Sequence, residues 1–118
     1  MSFSSVPLRD HLIQAGIQTA IRVFVPSQSG SLLVPPVGML GDNFLNSGSY
    51  QYPFSVSAIL INEVLWMVGG DQVMNSISAL SIFSGMSPVV TQSIASMGAS
   101  LGASYISVMI SDALGLSF

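Results

Sequence analysis

Apolar residues recur at helical spacing near the start of the chain. Residues 8–24 follow Pro7 and end shortly before Pro26. One face of this segment carries Ile13, Ile17, Ala20 and Phe24, flanked by Leu12 and Ile21, and the opposite face carries His11, Gln14, Gln18 and Arg22. This 3.6-residue pattern predicts an amphipathic helix. Such a helix lies at a membrane interface or packs on a protein core, and the sequence leaves both interpretations open.

The periodicity stops in residues 26–54, where prolines and glycines interrupt a segment that is still apolar. Prolines at 26, 35, 36 and 53 argue against a long helix. Long irregular segments are uncommon in compact domains and often dock onto another molecule. We therefore expect an extended arm that grips a neighbouring subunit. The alternative is a loop folded over the chain's own helices.

Residues 55–70 form the first strongly apolar segment. It is shorter than the roughly 20 residues of a full membrane span, so a marginal transmembrane helix, a re-entrant segment and a buried helix are all compatible with it. Gly69-Gly70 is interpreted as the stop of this helix. Asn62 and Glu63 near its middle are candidate intramembrane polar residues. Glu63 would handle a proton or cation, or would be a hydrogen-bonded carboxyl near a helix end.

The strongest signal is a stretch of forty residues, 72–111, without a single charged side chain. Its length suits two passes of about 20 residues each. The pattern predicts helices over about 73–87 and 93–111. These helices would be joined as a hairpin by a turn at Pro88 and the polar residues that follow it.

The second of these helices carries a face of small residues, which lie within the repeat GASLGAS and just before it. We predict that this face packs closely against another helix, because small side chains let two backbones approach in lipid. The partner is the chain's own first hairpin helix or another copy of the chain. The predicted packing residues are Ala95, Gly98, Ala99, Gly102 and Ala103.

Composition narrows the class of protein. Charged residues make up 6% of the chain, against about 25% in ordinary globular proteins, and the mean hydropathy is +0.70. A soluble monomer needs more charge than this to stay dispersed, and disordered chains are hydrophilic, so the composition argues against both classes.

Two arginines and no lysine cannot form the basic patch that nucleic-acid binding requires. Both arginines precede the apolar half, which favours a cytoplasmic N-terminus.

We find no grouping of side chains that predicts catalysis. His11 is the only histidine and cysteine is absent, so a metal site lacks its usual ligands. A Ser–His–Asp arrangement could use Asp10 or Asp42, but the sequence contains no G-x-S-x-G motif for the serine nucleophile. We interpret His11 as a solvated or capping side chain. The sequence predicts a non-enzymatic protein without a cofactor, a metal ion or a small-molecule substrate.

These observations predict an all-α membrane protein with an amphipathic helix in residues 1–25, a docking arm in 26–54 and an apolar helical region in 55–118 that ends in a hairpin. In composition it resembles small proteins of the internal membrane of icosahedral viruses and accessory subunits of membrane complexes. We expect it to anchor a larger protein assembly to a bilayer, with lipid, other subunits and further copies as partners. The alternatives are a holin-like pore-former and a non-membrane capsid or cement subunit.

Overall fold

The computed structural model describes residues 6–46 and 52–116, and in this part of the chain all regular secondary structure is helical. The elements are α1 (Leu8–Phe24), α2 (Val34–Leu45), α3 (Val56–Leu65), α4 (Asp71–Ser78) and α5 (Pro88–Ala113), with short 3₁₀ turns at Pro26–Gln28 and Ser81–Phe83. The all-α prediction is confirmed for the described residues. Among them, one helix, α5, is long and apolar enough to cross a membrane.

Helix α1 has the limits that its sequence predicts. Pro7 precedes it in an extended conformation, which suits a helix start, and Pro26 follows its last residue by two positions. Asp10 lies in the first turn and Arg22 in the last turn, where each charge is favourable to the helix dipole.

The extended conformation predicted for residues 26–54 is wrong for Val34–Leu45, which form α2. Pro35 and Pro36 occupy the first turn of α2. The first backbone N–H groups of a helix have no partner within the helix, so proline costs little there. The Ser31 hydroxyl instead accepts a hydrogen bond from the Leu33 N–H at 3.1 Å, just before the helix. Residues 47–51 of the predicted arm lie outside the described residues.

Helices α3 and α4 form one continuous rod, because a π-helical turn, Trp66–Gly70, joins them. The predicted helix stop at Gly69-Gly70 is therefore wrong. Gly70 allows the ring of Trp66 to lie directly over the backbone, since a Cβ at this position would overlap the ring. The Ser55 hydroxyl begins the rod by accepting a hydrogen bond from the Ala58 N–H at 3.2 Å.

The first helix of the predicted hairpin, over 73–87, also differs from the structure. The rod ends at Ser78, and the connection to α5 contains Gly85 with a φ of 86°, a conformation that glycine adopts without strain. Pro88 does not form the turn. It is the first residue of α5, and Ser87 caps the helix by accepting from the Val90 N–H at 3.3 Å.

The C-terminal end of α5 is fixed by a Schellman motif. Gly115 has a φ of 69°, and its N–H donates to the Asp112 carbonyl at 3.1 Å. The Leu116 N–H donates to the Ser111 carbonyl at 3.0 Å. These two bonds satisfy carbonyl groups that the helix itself leaves free. Helix α5 therefore runs from Pro88 to Ala113, longer at both ends than the predicted 93–111.

The rod and α1 both pack on α5 and run antiparallel to it. In the rod, Ser57 lies beside Ser111, whereas Ile77 lies beside Gly98 at the opposite end. In α1, His11 contacts Ser104, and later residues contact earlier positions of α5. Helix α2 packs on α1 and α3. The molecule measures 45 × 27 × 22 Å, and α5 is its central helix.

Burial in this bundle is the reverse of that in a water-soluble protein. Charged and amide side chains of α1 and a row of α5 serines are buried between the helices, while many large apolar side chains face outward. The exposed apolar residues include Leu12, Phe24, Leu33, Leu40, Phe44, Leu60, Val64, Val68, Ile94 and Ile106. Two small apolar clusters complete the interior, one around Phe54 and Met39 and the other around Trp66 and Met74.

Candidate functional site: a buried polar seam and a carboxyl pair

The main feature of the interior is a polar seam between α1 and α5. We use this name for two matching rows of side chains, at three- and four-residue spacing on α1 and at four-residue spacing on α5. Every member is at most 1% exposed. The α1 row is His11, Gln14, Gln18 and Arg22, and the α5 row is Ser96, Ser100 and Ser104.

Hydrogen bonds link the two rows along the seam. Gln14 Nε2 donates to the Ser100 carbonyl at 3.2 Å, and the Ser100 hydroxyl donates to Gln18 Oε1, also at 3.2 Å. The Gln18 amide in turn donates to Gln14 Oε1. Half-buried Thr19 adds a bond to the Ser96 hydroxyl at 2.8 Å. The seam therefore supplies partners for groups that would be costly to bury alone.

Arg22 is the most costly member of the seam to bury. Its Nη1 donates to Ser96 Oγ at 2.8 Å and to Ser100 Oγ at 3.0 Å, and its Nη2 donates to Gln18 Oε1 at 3.1 Å. The guanidinium carbon lies 4.2 Å from the centre of the Trp66 ring, which gives a cation–π contact. The arginine therefore joins α1, α5 and the π-helical turn of the rod at one point.

The interpretation of His11 as a solvated or capping side chain is wrong. The imidazole is fully buried, stacks on Tyr105 with ring centres 3.8 Å apart, and is hydrogen-bonded through Nδ1 to the Ser104 hydroxyl. The reason is that the polar face of α1 points toward α5 rather than toward water. Among the described residues, no carboxylate contacts Nε2, and neither His11 nor Ser104 is exposed. The pair therefore lacks the orienting group and the access that a catalytic serine needs.

The two predicted intramembrane polar residues lie in different surroundings. Asn62 is fully buried, and neither atom of its amide has a hydrogen-bond partner among the described residues. Glu63 is half-buried, and its Oε1 is a buried atom that likewise lacks a partner within the described part of the chain. No interaction joins the two side chains to the polar seam.

The predicted small-residue face is divided between two environments. Ala95 and Ala99 are buried against Trp66 and Met74 of the rod, and Ala103 packs beside them. A Cβ on Gly98 would only touch the Ile77 side chain at 3.4 Å, and a Cβ on Gly102 would meet nothing within 4 Å. These two glycines line an open apolar groove of about 310 Å³. The opposite wall of the groove includes Val68, Gly69 and Gly70.

A polar cavity of about 380 Å³ opens at the end of the bundle where α1 and α3 begin and α5 ends. Its walls include Arg9, Asp10 and Asn46 on one side, and Ser111 and Asp112 on the other. The exposed guanidinium of Arg9 donates to Asn46 Oδ1 at 2.8 Å and lies 3.4 Å from Asp10 Oδ1. All of these groups lie at one pole of the molecule.

Two buried carboxyls, Asp10 of α1 and Asp42 of α2, lie close together beside this cavity, where both face the side-chain amide of Asn46. We call them the carboxyl pair; Asp10 is 1% exposed and Asp42 is fully buried. Asn46 Nδ2 donates to Asp10 Oδ1 at 3.2 Å and to the Asp42 carbonyl at 2.8 Å. Burial, with the neighbouring Asp10 carboxyl added, raises the pKa of Asp42 to about 7.

Sequence reasoning missed the seam and the carboxyl pair for different reasons. The sequence contains a signal for the seam, because the α1 and α5 rows share nearly the same spacing, but neither segment alone indicates that the two rows face each other. The carboxyl pair depends on α2 packing across α1, whereas the prolines of this segment favour an extended arm over a helix when only the sequence is considered. No group of three or more His, Cys, Asp or Glu side chains suited to a metal ion occurs in residues 6–46 and 52–116.

Comparisons with protein-family models, with curated proteins and with solved structures find no match to this chain.

Proposed function

We propose that this chain is a non-enzymatic integral membrane protein that anchors a larger protein assembly to a lipid bilayer. Helix α5 crosses the bilayer, with α1 and the rod of α3 and α4 beside it. The observation that carries the proposal is the reversed burial, in which Arg22 and His11 lie inside the bundle while leucine, isoleucine, valine and phenylalanine side chains cover its surface.

Physical chemistry supports lipid as the surrounding solvent. An apolar surface of this extent is unusual on a soluble monomer and indicates contact with lipid or protein. In hydrocarbon, polar side chains turn toward the bundle interior, where they can bond to one another. The polar seam has this arrangement, since its arginine and glutamines bond to serines of the central helix.

Helix α5 is long enough to cross the hydrocarbon core of a bilayer, whereas the apolar part of the rod is shorter than that core. The 26 residues of α5 extend about 39 Å, more than the roughly 30 Å hydrocarbon core. Residues 56–70 of the rod extend only about 22 Å before Asp71, Gln72 and Asn75, which are exposed. We propose that the polar face of α4 lies at the membrane surface and that local bilayer thinning compensates for the difference.

A pair of arginine substitutions tests the membrane location. Ile106→Arg puts a charge on the outer face of α5, at a cost of roughly 2.5–3.5 kcal/mol near the bilayer centre. Asn75→Arg, the matched control, puts the same charge on the exposed face of α4. After expression in bacteria and alkaline carbonate washing, we expect the wild type and Asn75→Arg to stay in the membrane pellet. Ile106→Arg should be reduced there. Release of the wild type would favour the cement subunit instead.

The anchoring role is supported by the outer face of α2. Leu33, Val37, Leu40 and Phe44 form an exposed stripe at helical spacing, on a helix of 12 residues that is too short to cross a bilayer. We propose that this stripe contacts a subunit of the assembly. A photo-crosslinking residue at position 40 should then give protein adducts in the native host, while the same group at Ile106 should give lipid adducts. Lipid adducts alone at position 40 would contradict the anchor.

A holin-like pore-former is a second candidate, and the polar seam favours it. If α1 and α5 separated and several copies assembled, the same side chains would line a water-filled passage. Expression would then arrest a bacterial host, and the purified chain would release a small dye from lipid vesicles. The anchor predicts normal growth and sealed vesicles at the same membrane density of protein.

A further inference from the structure

We propose that Asp10 and Asp42 form a proton-binding site that holds α2 against α1 while one of the two carboxyls is protonated and weakens this contact when both are ionised. The site is independent of the membrane location, since it lies at the polar pole of the bundle beside a cavity that opens outward.

The surroundings of the two carboxyls favour one bound proton. Both side chains are almost completely buried, and Asn46 Nδ2 lies 3.2 Å from Asp10 Oδ1 and 3.5 Å from Asp42 Oδ1, so the two carboxyls are close neighbours that face one amide donor. Two carboxylates in contact cannot both remain ionised at low cost. Asp42 Oδ2 is buried and has no hydrogen-bond partner among the described residues, so an ionised Asp42 would keep a buried charge without a donor at this oxygen.

The neighbouring groups favour a proton over a metal ion. Arg9 and His11 flank the pair on α1, and Arg9 contacts Asp10 Oδ1. Asp112 of α5 and Tyr52 line the cavity on the far side, and α3 contributes Ala58 there. Asn46 Nδ2 donates to Asp10 Oδ1, so a donor and a cation already occupy the oxygen that a metal ion would need.

The contact between α1 and α2 depends on pH because the folded state binds the proton more tightly than the unfolded state does. The pKa of Asp42 is about 7 in the folded chain and 3.8 for an exposed aspartate, so the folded state binds more protons between these values. The stability that the carboxyl pair contributes is therefore highest below about pH 4, falls as pH rises toward 7, and levels off above it. The contact that weakens is the one between α1 and α2.

Infrared spectroscopy of the full chain in detergent micelles tests the site. All samples, including the one called wild type in this experiment, carry Glu63→Gln, because the partly buried Glu63 carboxyl would give a protonated band of its own. At pH 5.5, exposed aspartates have ionised, and we then expect one protonated-carboxyl band that disappears with a midpoint near 7. The band should be lost in Asp42→Asn, which mimics the protonated group, and kept in Asp71→Asn, an exposed control. Absence of the band in the wild type, or its survival in both Asp42→Asn and Asp10→Asn, would overturn the proposal.

Two further measurements complete the test. The distance between spin labels on Leu12 of α1 and Leu40 of α2, both exposed, should broaden above the midpoint in the wild type and be independent of pH in Asp42→Asn. A band that titrates while this distance stays constant would refute the coupling to α2. A midpoint that falls when calcium is added would show that a cation, and not a proton alone, occupies the pair.

Discussion

Removal of the Ser100 hydroxyl, at the centre of the polar seam, tests how much the hydrogen bonds of the seam stabilise the fold. Ser100→Ala deletes the group that accepts from Arg22 Nη1 at 3.0 Å and donates to Gln18 Oε1 at 3.2 Å. The guanidinium then keeps one partner at Nη1, the Ser96 hydroxyl. Because the arginine is 1% exposed, water cannot replace the lost bond.

The expected loss follows from the two bonds that disappear. A hydrogen bond to a charged group contributes about 1.5–3 kcal/mol, and one between neutral groups about 0.5–1.5 kcal/mol. We therefore expect Ser100→Ala to lower the free energy of unfolding by about 2–4.5 kcal/mol. The double variant Ser96→Ala/Ser100→Ala removes both partners of Nη1, and we expect a loss of about 4 kcal/mol or more.

Ser93→Ala is the matched control in the same helix. The Ser93 hydroxyl donates only to the Val89 carbonyl one turn earlier, so we expect a change within about 0.5 kcal/mol. Equilibrium unfolding in micelles with a denaturing detergent gives these values, followed by circular dichroism and by the fluorescence of Trp66, the only tryptophan. Equal effects of Ser93→Ala and Ser100→Ala would refute the reasoning, as would a loss near 0.6 kcal/mol for Ser100→Ala, about the average for interhelical hydrogen bonds in membranes.

Two further pairs of substitutions test the helix contacts in the same unfolding assay. Gly38→Ala would place a Cβ 2.7 Å from the Gln14 carbonyl oxygen, so we expect a loss of about 1–3 kcal/mol, whereas Gly16→Ala meets nothing within 4 Å and should stabilise α1 by up to about 1 kcal/mol. Equal effects at the two glycines would contradict the close packing of α2 on α1. Ala99→Leu overfills the contact with the rod and should cost about 1–3 kcal/mol, while Gly102→Leu extends into the open groove and should change stability little. A larger loss for Gly102→Leu would show that this glycine packs against a helix.

Several features of the fold could be predicted from the sequence because they depend on local periodicity. The 3.6-residue pattern of residues 8–24 predicts α1, and the charge-free stretch predicts an apolar helix that overlaps α5. An all-helical chain follows from both. Composition alone favours a surface that avoids water, in agreement with the exposed apolar side chains of the bundle.

The remaining features depend on context that a single segment does not contain. The polar face of α1 would be solvated on an ordinary helix, and it is buried here only because α5 offers serines at matching positions. Pro35, Pro36 and Pro88 interrupt a helix from within but are compatible with its first turn, so their effect depends on where the helix begins. Gly69-Gly70 is typical of a helix stop in the sequence, and the ring of Trp66 explains why Gly70 lies inside the rod instead.

Collision accessibility of spin labels is the most direct test of the central claim, that the apolar outer surface lies in lipid. The chain has no cysteine, so single cysteines at Val64, Ile106 and Asn75 can each carry one label in a vesicle-reconstituted protein. We predict that labels at Val64 and Ile106, both exposed and apolar, collide with oxygen and are shielded from a water-soluble nickel chelate, while the label at Asn75 collides with the chelate. Equal access of the chelate to all three positions would contradict the account.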